Sequence, residues 1–129
     1  MEPAGEWSVD RHLADKPKPV VDIYRRFVAL LEACGPYAVS VTKTAIAFKG
    51  THRGFAGAKP RKASLDGFLD LQREVQDERI LRTSPYTKSL YVHQFRITSA
   101  AQLDDSFAAL IEEAYQVGQG AHRGLRKTS

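Results

Sequence analysis

The sequence predicts one α+β domain: a helix, five or six mainly antiparallel strands, then a second helix, with both helices on one face of the sheet. Three observations predict it. Apolar residues recur at three- and four-residue spacing near both ends of the chain, between positions 20 and 31 and between 103 and 115. Between these stretches the period drops to two, the spacing of strands with one buried face. The gaps between the alternating runs are of hairpin length, too short for the crossovers that parallel pairing needs. A chain of 129 residues, 43% of them hydrophobic, can fill one core of this kind and is too short for two ordinary domains.

The first 18 residues mix charge, glycine and proline and read as an arm, although Trp7, Val9 and Leu13 offer it apolar anchors. The first helix spans 19–33. Pro19 suits a first turn, where a missing amide donor costs little. Val20, Ile23, Tyr24, Phe27, Leu30 and Leu31 make its stripe, and Gly35-Pro36 ends it. Tyr37, Val39 and Val41 then alternate with small polar residues, and Ile46 and Phe48 follow after a tight turn at Lys43 and Thr44. A third strand covers 54–58. In the fourth, Leu65, Gly67, Leu69 and Leu71 share one face, while Asp66, Phe68 and Asp70 share the other. A short strand spans 79–83, with Ser84-Pro85 expected to turn the chain. In the last strand Tyr91, His93, Phe95 and Ile97 alternate with Leu90, Val92, Gln94 and Arg96.

The second helix is expected over 100–117, opened by Ser99 with Gln102 in capping-box spacing. Leu103, Phe107, Leu110, Ile111, Ala114 and Tyr115 form its buried stripe. The domain thus covers 19–118, and 119–129 reads as a flexible basic tail.

Several words of the sequence, in order, resemble a family of small bacterial domains of unknown function with an HLAGKP-like opening. They are SVDRHLADKP, YRRFVALLEACGP, VSVTKTAIAF, GFAGAKPRK, LQREVQDERI, YVHQFRIT and LDDSFAALIEEAYQVGQ, over roughly residues 8–122. Asp15 stands where glycine is usual in the opening word. The resemblance implies a helix–sheet–helix α+β domain and carries no reaction with it.

The residues exclude several chemistries. A single cysteine, Cys34, leaves no intrachain disulfide and no cysteine-built metal site, and a small buried thiol is the expectation. Lys49-Gly-Thr-His-Arg-Gly lacks the spacing of a phosphate loop, and no GxSxG elbow occurs. His12, His52, His93 and His122 lie far apart in sequence, so no metal site and no cofactor are expected. Asp66 and Asp70 share a strand face about 13 Å apart, too far for one metal or a close acid–base pair. No apolar run suits a signal peptide or a membrane span, so a cytoplasmic protein with no membrane partner is expected.

Charge distribution is the more informative signal. From Lys43 to Arg96 there are eleven Lys/Arg against five Asp/Glu, while the flanks together are slightly acidic. Arg53, Arg61, Lys62, Arg82, Tyr86 and His93 are the candidate binding residues: cations for an anionic ligand, and Tyr86 to stack on exposed bases of single-stranded nucleic acid. Phe55 and Phe68 are further candidates for stacking. His93 has two readings, a half-buried ring aligned with Phe95 and Ile97, or an imidazole at the sheet rim serving an anion or a proton transfer. Lys and Arg on sheet edges also simply prevent association. A third possibility is a homodimer through the uncovered sheet face, centred on Phe68, Leu90 and Val92, unless the N-terminal arm folds across that face. The sequence favours a non-enzymatic binding module with a basic sheet region. The alternatives are an enzyme for a phosphate-bearing or other anionic substrate with His93 near its site, and a purely structural or oligomerisation domain.

Overall fold

The computed structural model describes residues 7–120, so the basic residues expected in the C-terminal tail lie outside the described residues. In chain order the elements are α1 (Val9–Leu13), α2 (Lys18–Cys34), β1 (Ala38–Val41), β2 (Ile46–Lys49), β3 (Gly54–Pro60), β4 (Leu65–Leu71), β5 (Ile80–Thr87), β6 (Leu90–Ile97), a one-turn 3-10 segment (Ala100–Gln102) and α3 (Asp105–Gly118). The six strands form one antiparallel sheet in the order β1-β2-β3-β4-β6-β5. The fold is α+β, with α2 and α3 packed on the same face of the sheet and on each other.

Alternation along each strand decides what that face receives. Ile46 and Phe48, Ala56 and Ala58, Leu65 and Leu69, and Phe95 and Ile97 are all at or near zero exposure. They meet Ile23, Phe27 and Leu31 of α2 and Phe107, Ile111 and Ala114 of α3. Phe27 touches both Phe48 and Phe95 with ring centroids 5.8 and 5.5 Å apart, and Phe107 stands edge-on to Phe95 at 5.4 Å. Ala56 and Ala58 on β3 are small, buried residues in the layer packed beneath the helices. Gly118 is small as well, since a side chain there would collide with the Phe55 ring.

Four details differ from the sequence expectations. Positions 9–13 form a helix, capped by the Ser8 hydroxyl accepting from the Arg11 amide at 3.2 Å, and Val9 and Leu13 pack against the core. The arm therefore docks at one end of the sheet. The chain does not turn at Ser84-Pro85: β5 runs on to Thr87, because an edge strand with an irregular register at Pro85/Thr87 can accommodate a residue without an amide donor. The Ser99/Gln102 capping box is present but closes only the 3-10 turn. Asp104 caps α3 itself, accepting from the Phe107 amide at 3.1 Å, since the carboxylate sits at the start of the longer apolar stripe. Finally, Phe55 is fully buried against Tyr115 and Leu90 is 1% exposed, so neither offers surface to a partner.

Arg79 ties the sheet to the start of α3. Its guanidinium donates to both Asp77 oxygens, to Asp104 Oδ1 at 2.9 Å, to Ser106 Oγ and to the Gln102 carbonyl. Its bonds to the Asp77 and Asp104 carboxylates raise its pKa and hold its charge firmly in place. Among the described residues, no helix is long and apolar enough to cross a membrane.

Candidate functional site

The strand face turned away from α2 and α3 carries the other half of each alternation. Register sets it in rows. Lys59, Asp66 and Arg96 form one row across β3, β4 and β6; Gly57, Phe68 and Gln94 form the next; Asp70 and Val92 are paired in the third. Arg82 on the edge strand stands opposite Gln94.

At the Lys59 end, three segments distant in sequence meet. The first is α1, clamped in place where His12 Nε2 donates to the Thr42 carbonyl at 2.7 Å. The second is the β1–β2 turn. There Thr42 Oγ1 accepts from the amides of Thr44 and Ala45, both at 3.3 Å, leaving Lys43 at the tip. The third is the β3–β4 turn, closed by the Arg61 amide donating to the Ser64 carbonyl at 2.8 Å. Together they enclose a cleft of about 400 Å³ lined by Arg11, Lys16, Lys43, Lys59 and Arg61. Among the described residues, Asp15 is the one acidic lining residue. Lys16, 2.7 Å away, is the main reason its carboxyl sits below the usual range. Among the described residues, Lys43 and Lys59 have no carboxylate within ion-pair distance. Trp7 forms part of the wall, its ring in contact with His12 and 4.1 Å beneath the Arg11 guanidinium.

A second hollow of about 310 Å³ adjoins the first, and Lys59 and Arg61 line both. Phe68, Val92, Gln94 and Arg96 are on its floor, with Leu81, 55% exposed, at its side. Asp66 is committed within it, accepting both guanidinium nitrogens of Arg96 at 3.0 and 2.9 Å and the Ser64 hydroxyl at 2.9 Å. Burial opposes its charge, but the bonds from Arg96 and Ser64 and the charges of Arg96 and Arg61 outweigh it and hold the carboxyl below its usual range.

The six sequence-derived residues fall into four places. Arg61 is shared by the two hollows, and Lys62 beside it acts on Asp15 through its charge. Arg53 and Tyr86 are together at the far end of the open face, the guanidinium 5.4 Å from the ring centroid and its Nη2 2.7 Å from Asp70 Oδ2. Asp70 is nearly enclosed and its Oδ1 has no partner; burial, only partly offset by Arg53, raises the carboxyl to about 6. Arg82 lines a shallow hollow with Asp77 and Thr83 at the sheet edge.

His93 does not reach the rim. It is fully buried, and its Nε2 accepts from the Val75 amide at 3.0 Å, so the proton is on Nδ1, which donates to the Tyr91 carbonyl at 3.0 Å. Burial lowers its pKa, and the ring stays neutral. Its alternation with Phe95 and Ile97 turns it to the helix side, where both nitrogens are satisfied by backbone.

Arg11, Lys16, Lys43 and Lys59 were not among the sequence candidates. They come from separate segments, and only the docking of α1 brings Arg11 and Lys16 to Lys43 and Lys59. Lys59 alone carried a local signal, as part of the basic turn with Arg61 and Lys62. Cys34 is half-buried, donates to the Leu30 carbonyl and is pushed by burial to about 12, which leaves an inert thiol. Among the described residues no group of three His, Cys, Asp or Glu side chains could hold a metal ion.

In comparisons with known proteins, the model of a domain of unknown function, DUF5655, matches residues 9–118. No curated protein and no solved structure matches the chain.

Proposed function

We propose that this chain, which belongs to the DUF5655 domain family, is a non-enzymatic binding module whose cleft between α1, the β1–β2 turn and the β3–β4 turn takes a phosphate-bearing anion. The observation that carries this reading is the convergence of Arg11, Lys16, Lys43, Lys59 and Arg61 on one cleft where, among the described residues, Lys43 and Lys59 have no carboxylate within ion-pair distance. Lys16 is already paired with Asp15 and Arg61 lies 3.9 Å from Asp66, so an anion in the cleft is drawn chiefly by the charges of Lys43 and Lys59. Lysines and arginines from separate segments suit several phosphate oxygens better than one planar carboxylate. The enzymatic alternative rested on His93, which is enclosed behind the sheet with both nitrogens engaged. Membership of the family adds no activity to this reading.

Trp7 is the chain's only tryptophan and stands in the cleft wall, so its emission reports on occupancy. Titration with pyrophosphate, followed by Trp7 emission and by calorimetry, is expected to saturate and to weaken as salt rises. The double substitution Lys43→Ala and Lys59→Ala is expected to weaken binding about tenfold or more, the loss of two charge-assisted contacts. Absence of saturable heat and emission change at low salt, or an unchanged affinity in the double variant, would contradict the reading.

A further inference from the structure

Resting on that reading, we infer that the anion is one phosphate of a longer ligand, single-stranded nucleic acid, which leaves the cleft over Lys59 and Arg61 and lays a base on Phe68. The geometry supports a continuous track, because Lys59 and Arg61 line both hollows. Lys59 and Arg96 are two strand spacings apart, about 10 Å, on either side of Asp66, which pairs with Arg96 and leaves Lys59 as the cation of that row facing the second hollow.

Phe68 supplies what a phosphate alone does not use. It is only half-buried, on a central strand, in the row between Gly57 and Gln94. A side chain at position 57 would collide with the Phe68 ring, so the glycine lets the ring lie across β3. The result is an aromatic surface on an open antiparallel sheet, with Gln94 beside it and Lys59 in the adjacent row. Stacking bases on sheet aromatics while cations follow the backbone is a general solution for single strands. Tyr86, 62% exposed and beneath Arg53, offers a second ring further along the same face.

A second copy of the chain fits this face less well. A two-fold interface centred on Phe68 brings the same basic residues from both copies into one contact. Asp66 is held by Arg96 and Asp70 by Arg53 within each copy, so neither carboxylate is left to offset the other copy's Lys59 across the interface.

The test is fluorescence anisotropy with labelled single-stranded oligothymidylate of about eight nucleotides, with polyphosphate of matched charge as the competitor without bases. Affinity is expected to fall about 50-fold between 50 and 200 mM salt, the dependence for roughly four phosphates on a single strand. Phe68→Leu is expected to weaken oligonucleotide binding about tenfold and leave pyrophosphate binding unchanged, while Phe68→Tyr keeps both. If pyrophosphate binds but polyphosphate competes as well as the oligonucleotide and Phe68→Leu changes nothing, the nucleic-acid inference falls and the anion cleft stands. If neither pyrophosphate nor oligonucleotide binds, both fall. A stable dimer in sedimentation that Phe68→Leu dissociates would also overturn the inference, since the face would belong to a second copy.

Discussion

One six-stranded sheet presents two unlike faces. On the helix side β2, β3, β4 and β6 contribute residues at or near zero exposure, and Phe27 of α2 touches both Phe48 and Phe95, which in turn meets Phe107 of α3. On the other side the same strands present Lys59, Asp66, Phe68, Asp70, Gln94 and Arg96. The period-two geometry of a strand makes the two faces separable: residues of one can change with little consequence for the other. Stability is concentrated on the first face, and the freedom to hold charges near one another is left to the second.

The largest effect expected is on the helix side. Phe107→Ala should cost about 3–5 kcal/mol in denaturant unfolding, because the ring is fully buried between Phe95 and the Arg79 guanidinium. A cost under about 1 kcal/mol would break the assignment of stability to that face.

Asp70 sharpens the comparison, since it is a buried charge on the open side. Its carboxyl, raised to about 6 by burial, retains a proton in the folded chain that the unfolded chain releases near pH 4. The folded state binds more protons in that window, so this group's contribution to stability falls as pH rises from about 4 to about 6. Asp70→Asn removes the dependence. The variant should gain on the order of 2 kcal/mol relative to the parent chain between pH 4 and pH 7, whatever fixed offset the lost Arg53 pair introduces. Equal pH profiles for the two proteins would show that Asp70 titrates normally.

Phe68→Ala is the smallest effect on stability. With its ring only half-buried, the substitution should cost about 1 kcal/mol, well below Phe107→Ala despite the same deletion. Equal costs for the two would mean that the open face is part of the core.

Much of this division was legible in the sequence. The alternation of Leu65, Gly67, Leu69 and Leu71 with Asp66, Phe68 and Asp70 named both faces of β4, and the two helical stripes named what covers one of them. Local chemistry was less reliable where two signals competed. Ser84-Pro85 carries a turn signal that an edge strand overrides, and the Ser99/Gln102 box is real but caps a shorter element than its spacing implied. The cleft was the hardest to read. Arg11 and Lys16 sit in a segment that reads as an arm, and nothing local says that His12 will bond to the Thr42 carbonyl and bring them to Lys43 and Lys59. His93 was ambiguous for a different reason: alternation gave its side of the strand, but only the Val75 amide and Tyr91 carbonyl show that the buried ring is satisfied.

The most direct measurement of the two-face account is to follow backbone amide resonances of the isotope-labelled chain while oligothymidylate is added at low salt. The account predicts shifts at Arg11, Lys43, Lys59 and Arg61 around the cleft and at Phe68 and Gln94 on the open face, with Phe27, Leu31 and Ile111 on the helix side unmoved. Shifts centred on α2 and α3, or no shifts at high micromolar protein and ligand, would contradict it.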